Sequence, residues 1–282
     1  MPPARSLTMA SLLHLSDPHF GTERERPMAA LMEMLRGLTP EHIVISGDLT
    51  QRATADQFRR AAAFVERLGE LAPAARLHLT PGNHDLPVLD PLQRLLDPFA
   101  PFRAAFGRSP ESVHEDPLLH LQVLNTVSPW RHKHGVLRRE QVDRVVERLA
   151  LASPRQLRMI VTHQPLAVAR PDDRRDLLRG RQQALERWPP AGADLVLGGH
   201  IHLPYVARIG NGRATWVVQA GTVVSSRIRH EAGNSFNLIR YAGGNTGARP
   251  SCAVERWDFC EQRGEFRAVS DTPLPLAAAI DR

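Results

Sequence analysis

The stretch Leu77-His78-Leu79-Thr80-Pro81-Gly82-Asn83-His84-Asp85 decides how the chain is read. Its first part is apolar enough for a buried strand. Pro81 and Gly82 stop that strand and force a turn. An amide, an imidazole and a carboxylate follow in a row. A strand that ends in a tight turn aims such side chains at one point beyond the sheet edge, where open α/β sheets place their chemistry. Alone, Gly82-Asn83-His84-Asp85 reads equally well as a turn with a helix cap, so its meaning depends on what surrounds it.

Working outward toward the N-terminus, residues 42–46 form a second apolar strand ending in Gly47-Asp48, and residues 11–15 a first, ending in Ser16-Asp17-Pro18-His19-Phe20. Between them, Met28, Leu31, Met32, Leu35 and Leu38 recur at helical spacing over 27–38. Phe58, Ala61, Ala62, Val65 and Leu68 do the same over 54–68, with Thr50 or Thr54 as the cap. The first third is therefore β-α-β-α-β. Alternating elements and short connections predict a parallel sheet covered by helices.

Toward the C-terminus the spacing predicts a helix over 91–106 broken at Pro98 and Pro101, a strand at 119–124 and a helix at 138–151. Strands at 157–161 and 194–197 follow, with a short helix at 182–188 between them. The first of these strands ends in Thr162-His163-Gln164-Pro165 and the second in Gly198-Gly199-His200-Ile201-His202. The charged run 170–181 reads as a mobile surface loop or cap. Residues 205–209 and 213–218, joined through Asn211-Gly212, read as a hairpin. Strands at 235–241, 253–259 and 265–269 complete an antiparallel C-terminal part. No repeat or linker divides the chain. The reading is a loose tail at 1–8, one domain over 9–270 built from two face-to-face sheets with helices outside, and a C-terminal tail at 271–282.

Composition limits the possibilities. The 282 residues carry 42% hydrophobic and 23% charged side chains, an ordinary soluble balance with length enough for a sizeable core. No apolar run approaches the roughly 20 residues of a membrane span. The first ten residues lack the long apolar segment of a secretory signal, which points to the cytoplasm and to free thiols at Cys252 and Cys260. The net charge of +6 is carried almost wholly by arginine, Lys133 being the only lysine. Such a chain attracts anions: nucleotides, nucleic acid or acidic headgroups.

Five polar turns stand at strand ends: Asp17-Pro18-His19, Gly47-Asp48, Gly82-Asn83-His84-Asp85, His163 and Gly199-His200-Ile201-His202. Singly, each has a bland reading as a solvated loop, a turn or a structural histidine. Jointly, at a common sheet edge, they supply carboxylates, imidazoles and an amide without a thiolate, a donor set for Mn, Fe, Zn, Ni or Co. Seven or eight donors exceed the needs of one ion and suffice for two sharing a bridge. Two ions about 3.5–4 Å apart can clamp a phosphoryl group for in-line attack. The remaining histidines (His14, His42, His78, His114, His120, His132, His134 and His230) read as structural or surface residues.

This ordered set resembles the calcineurin-like metallophosphoesterase superfamily, whose pattern is Asp-x-His, Gly-Asp, Gly-Asn-His-Asp/Glu, a lone His and Gly-His-x-His. The resemblance covers about residues 11–220. It implies an α/β fold, a four-layer α/β/β/α sandwich of two mixed sheets flanked by helices, holding two divalent or trivalent ions (Mn, Fe or Zn). It also implies that Asp17, His19 and His202 bind one ion, that Asn83, His163 and His200 bind the other, and that Asp48 bridges. His84 would then be the general acid that protonates the leaving oxygen, with Asp85 orienting it, while a hydroxide bridging the metals attacks phosphorus. Gly47-Asp48-Leu49-Thr50 departs from the phosphoprotein phosphatases, and His84 departs from the UDP-diacylglucosamine hydrolases. The segments Gly221-Thr222-Val223-Val224-Ser225-Ser226-Arg227 and Asn234-Ser235-Phe236-Asn237 resemble bacterial class III cyclic nucleotide phosphodiesterases. The expectation is a phosphodiesterase of cyclic or other small nucleotides, with no stable nucleic-acid partner. The alternatives are a nucleic-acid or lipid-headgroup phosphoesterase and a non-catalytic metal-binding scaffold.

Overall fold

In each inner strand, successive side chains go to opposite sides, and that alternation builds the layers. The computed structural model describes residues 9–88, 90–131, 133–210, 212–229, 232–243 and 250–276. Strands β1 (Met9–Leu15), β2 (His42–Ile45) and β3 (Arg76–Leu79) alternate with helices α1 (Glu25–Leu35) and α2 (Ala55–Leu71). Leu13, Leu15, Ile43, Ile45 and Leu79 pack against Leu31, Leu35, Phe58, Phe64 and Leu68 of the two helices. Leu12 and Val44, on the opposite face of the same strands, enter a second core.

That second core lies between two sheets. Its other wall is β5 (Leu119–Val123), β6 (Leu157–Val161) and β7 (Leu195–Gly198), through Leu121, Val123, Met159, Val161, Leu195 and Leu197. The outward-facing Ile160 and Val196 pack instead on α5 (Arg139–Leu151) and α6 (Arg181–Ala191), through Val142, Val145, Leu149 and Trp188. The layers are thus α/β/β/α. Strands buried on both faces favour apolar residues on both, which is why they read as largely apolar runs, with His14, His120 and Gln122 as buried polar exceptions.

Both sheets are six-stranded and mixed. The first adds β10 (Ser235–Ala242), β11 (Ser251–Cys260) and β12 (Glu265–Leu274) in the order β12-β11-β10-β1-β2-β3. In it β1, β2 and β3 run parallel and the C-terminal strands antiparallel. The second adds β4 (Ser112–Glu115), β8 (Tyr205–Ile209) and β9 (Thr215–Gln219) in the order β4-β5-β6-β7-β9-β8. There β5, β6, β7 and β9 are parallel, while β4 and β8 run antiparallel along the edges.

Local signals explain most boundaries. Thr54, not Thr50, caps α2 by accepting from the Gln57 amide at 3.3 Å. The region 91–106 is two helices, α3 (Pro91–Leu96) and α4 (Ala100–Phe106), parted near Pro98 as its sequence predicts. Strand β4 went unread because Ser112-Val113-His114-Glu115 is a polar edge strand, exposed along most of its length. Strand β12 runs to Leu274, beyond the boundary at 270, because Asp271–Leu274 continues the ladder as far as Leu274 opposite Cys252. The tails at 1–8 and 277–282, His132, Asn211 of the predicted tight turn, and His230 lie outside the described residues. Both cysteines are free. They sit eight residues apart on β11, roughly 27 Å along an extended strand, too far for a disulfide. Among the described residues no helix is long and apolar enough to cross a membrane.

Candidate metal centre

The five turns follow the C-terminal ends of β1, β2, β3, β6 and β7, so they meet where the two sheets face each other rather than along one sheet edge. Their backbone is unusual. The described non-glycine residues with positive φ are Asp17 (52°), His19 (45°), Asp48 (51°), Ala53 (54°), His200 (72°) and His202 (53°). All but Ala53 belong to the predicted ligand set. Each such conformation costs on the order of 1–2 kcal/mol, and strain of this kind concentrates at functional sites. Two glycines make the packing possible. A Cβ on Gly82 would overlap the Asp48 carboxylate, and one on Gly199 would overlap Ser16 Oγ and Asp17 Oδ2.

The side chains form two groups around one carboxylate. Asp17 Oδ1 lies 3.6 Å from His19 Nε2 and 3.2 Å from His202 Nε2, and those two nitrogens are 3.0 Å apart. Asp48, His163 and His200 form the second group. Asp48 Oδ2 stands between the groups, 3.6 Å from His19 Nε2 and 3.3 Å from His163 Nε2. Its Oδ1 accepts from the His84 amide at 2.8 Å. Asn83 is buried and lines the same cavity.

The hydrogen bonds behind the ligands set which nitrogens face inward. His163 Nδ1 donates to the Ser46 carbonyl at 2.8 Å, and His202 Nδ1 to the Arg227 carbonyl at 2.5 Å. In neutral rings this directs the Nε2 lone pairs of both toward the carboxylates, the tautomer a metal requires. Asp17 Oδ2 is held by Ser16 Oγ at 2.6 Å and the His200 amide at 3.0 Å, which leaves Oδ1 to the centre. Among the described residues, Asp17 Oδ1, Asn83 Oδ1, His163 Nε2 and His200 Nε2 are buried without a hydrogen-bond partner. Buried polar atoms left this way are costly, and cations placed among them would satisfy all four. The donor set therefore fits metal ions.

The electrostatics agree. Burial works to raise Asp48, but the charges of His163 and His84 hold it well below the usual carboxylate range. Burial works to lower His163, yet Asp48 and then Asp17 push it up to about 9, so the surrounding carboxylates favour positive charge at this place. Burial lowers His19 to about 4 against the pull of Asp17 and Asp48.

His84 sits beside the ligands, its ring edge-on to His19 at 4.9 Å. Its Nδ1 donates to the Gln51 carbonyl at 2.8 Å, and its Nε2 accepts from Arg227 Nη1 at 2.9 Å. Asp85 does not orient this ring, contrary to expectation. Its carboxylate is turned the other way and accepts from the amides of Leu49 (3.0 Å), Thr50 (2.7 Å) and Gly82 (2.8 Å) and from Thr50 Oγ1 (2.9 Å). It ties the turn after β2 to the turn after β3. Burial, then the Asp48 carboxylate, raise Asp85 to about 7.

A cavity of about 620 Å³ opens over the centre and brings in residues that motif reading passed over: Lys133, Asp173, Asp176, Arg227 and Arg229. Arg227 also donates to Gln51 Oε1 at 3.1 Å. The charged run 170–181 supplies one wall as a short 3₁₀ helix, Pro171–Asp176. It is anchored as well as exposed: Asp173 pairs with Arg229 at 2.9 Å and Asp176 with Lys133 at 2.6 Å. The weak signals for these residues were the sole lysine and the arginine closing the 221–227 segment.

Histidines and carboxylates able to hold metal ions thus gather at strand ends between two facing sheets. The chain belongs to the calcineurin-like phosphoesterase family, whose profile matches residues 10–204. Members of that family are metal-dependent phosphoric ester hydrolases. Over 204 residues the chain is 29% identical to a cAMP/cGMP dual specificity phosphodiesterase of Mycobacterium tuberculosis, a match that takes in 68% of this chain and 61% of that relative. Its fold is similar to a purple acid phosphatase from yellow lupin (TM-score 0.70, 13% identity, 94% of this chain and 53% of that one). It is also similar to a dimetal phosphatase from Danio rerio (TM-score 0.64, 12% identity, 95% of this chain and 99% of that one).

Proposed function

We propose that the chain is a dinuclear metal-dependent phosphodiesterase acting on cyclic or other small nucleotides. The observation that carries this reading is Asp48 Oδ2, 3.6 Å from a nitrogen of one ligand group and 3.3 Å from a nitrogen of the other. Asp17, His19 and His202 would hold one ion. Asn83, His163 and His200 would hold the second, and Asp48 would be shared. Mn, Fe and Zn suit these donors. When bound, such ions supply an activated water and neutralise charge on the phosphoryl oxygens.

The chain's own residues do the rest. His84 is the proton donor to the leaving oxygen, with Gln51 fixing its ring through Nδ1. Arg227 donates to Nε2, and a phosphate that draws Arg227 to itself would let Nε2 take up from solvent the proton it then gives to the leaving oxygen. Arg227 thereby couples phosphate binding to the arming of the acid. Asp85 acts as a brace for the two turns. The cavity volume suits a small nucleotide. The 29% identity to a cAMP/cGMP phosphodiesterase supports the same substrate class.

The test compares bis-p-nitrophenyl phosphate, p-nitrophenyl phosphate and cyclic AMP with added Mn. Turnover of the diester and of cyclic AMP is expected. Diester turnover without cyclic AMP turnover would move the substrate to other diesters, nucleic acid and lipid headgroups included. Absence of all turnover with metal bound would favour the scaffold.

A further inference from the structure

A second cluster lies at the other end of β2. His42 opens that strand, His78 lies beside it on β3, His114 is on β4, and Asp116 follows β4. The cluster therefore bridges the two sheets at the edges β3 and β4. Asp116 Oδ2 stands 3.1 Å from His42 Nε2 and 3.0 Å from His114 Nε2. These three atoms are mutually within 4.8 Å. For a tetrahedral zinc ion with bonds near 2.0–2.1 Å, neighbouring donor atoms stand about 3.3 Å apart, close to the separations seen.

The supporting contacts are those of a ligand set. Asp116 Oδ1 accepts from the amides of Leu118 and Leu119, each at 2.8 Å, and this aims Oδ2 at the two imidazoles. The far nitrogen of His42, Nδ1, is 3.3 Å from His78 Nε2. A proton donated from His42 Nδ1 to His78 leaves His42 Nε2 with its lone pair toward Asp116, as in metal-bound histidines. A cavity of about 440 Å³, lined by His78, His114 and Arg108 among others, adjoins the cluster on the His114 side.

We propose that His42, His114 and Asp116 bind a single zinc-type divalent ion, separate from the catalytic centre, that fastens the edges of the two sheets together. His78 is the positioning residue behind His42. The ion replaces the protons that otherwise join the rings to Asp116.

The test is zinc content after equilibrium dialysis of the full chain against zinc, for the unaltered protein, His114→Ala and Asp116→Asn. His114 is partly exposed on an edge strand, and asparagine can still accept from the Leu118 and Leu119 amides, so both variants should fold, which circular dichroism checks. Each variant is expected to bind about one zinc fewer per chain, with Mn-dependent diester hydrolysis unchanged. Equal zinc content in the folded variants and the unaltered protein would overturn the proposal. The outcome is independent of whether the chain is a phosphodiesterase, because it reads zinc at residues outside that centre.

Discussion

Strand β2 carries a histidine–carboxylate cluster at each end, and the two are built on opposite principles. At the C-terminal end the side chains come from turns, and Asp17, His19, Asp48, His200 and His202 are held at positive φ. Buried atoms there lack partners. At the N-terminal end His42, His78 and His114 come from regular strand, His42 Nδ1 lies 3.3 Å from His78 Nε2, and Asp116 Oδ2 joins His42 to His114. The same residue types thus make a strained set of buried donors at one end and, at the other, a cluster set in regular strand whose members already contact one another. Backbone strain and unpaired atoms, more than residue identity, separate the two.

The largest effect expected from testing this contrast is at Asp48. Asp48→Ala removes the carboxylate common to both ligand groups. Metal content should fall and diester turnover drop roughly a thousand-fold, equivalent to several kcal/mol of transition-state stabilisation. Full activity with full metal content would break the comparison at its centre. Next is His84→Ala, which should keep its metal while kcat for cyclic AMP falls roughly 10²–10⁴-fold. With p-nitrophenolate as leaving group the loss should shrink, because that oxygen departs without a proton. An equal loss for both substrates would argue against a proton-donor role.

Arg227→Ala should cost less. Loss of one charge-assisted hydrogen bond to phosphate is worth about 1.5–3 kcal/mol, or roughly 10–100-fold in kcat/KM, with partial recovery in Arg227→Lys. An unchanged kcat/KM would separate the arginine from substrate binding. The smallest effect is expected at the far end. In zinc-free buffer, His114→Ala should unfold within about 1 kcal/mol of the unaltered protein, because a partly exposed histidine–aspartate pair contributes little. A much larger loss in urea titrations would mean that the far cluster is as dependent on its partners as the catalytic centre.

Legibility varied with the kind of signal. The helices and most strands were readable because their apolar periodicity reflects burial, as in the α2 face of Phe58, Ala61 and Leu68. The polar strand β4 and the extension of β12 were not, since edge pairing depends on backbone ladders rather than on apolar side chains. The metal-ligand candidates were readable because each sits in a short motif at a strand end. The family resemblance implied that Asp85 orients His84, whereas its carboxylate accepts from the amides of Leu49, Thr50 and Gly82. Lys133 and Asp176 had no motif to mark them, and Arg227 stood only at the end of the 221–227 segment, since the three reach the cavity from separate parts of the chain.

By itself, the sequence determined the layer order and the donor types, because burial and ligand chemistry are written residue by residue. Only the tertiary structure decided which partners hold His84. It alone brought His42, His78, His114 and Asp116 together. Those relations join atoms far apart along the chain, and their distances arise only when the two sheets close on each other.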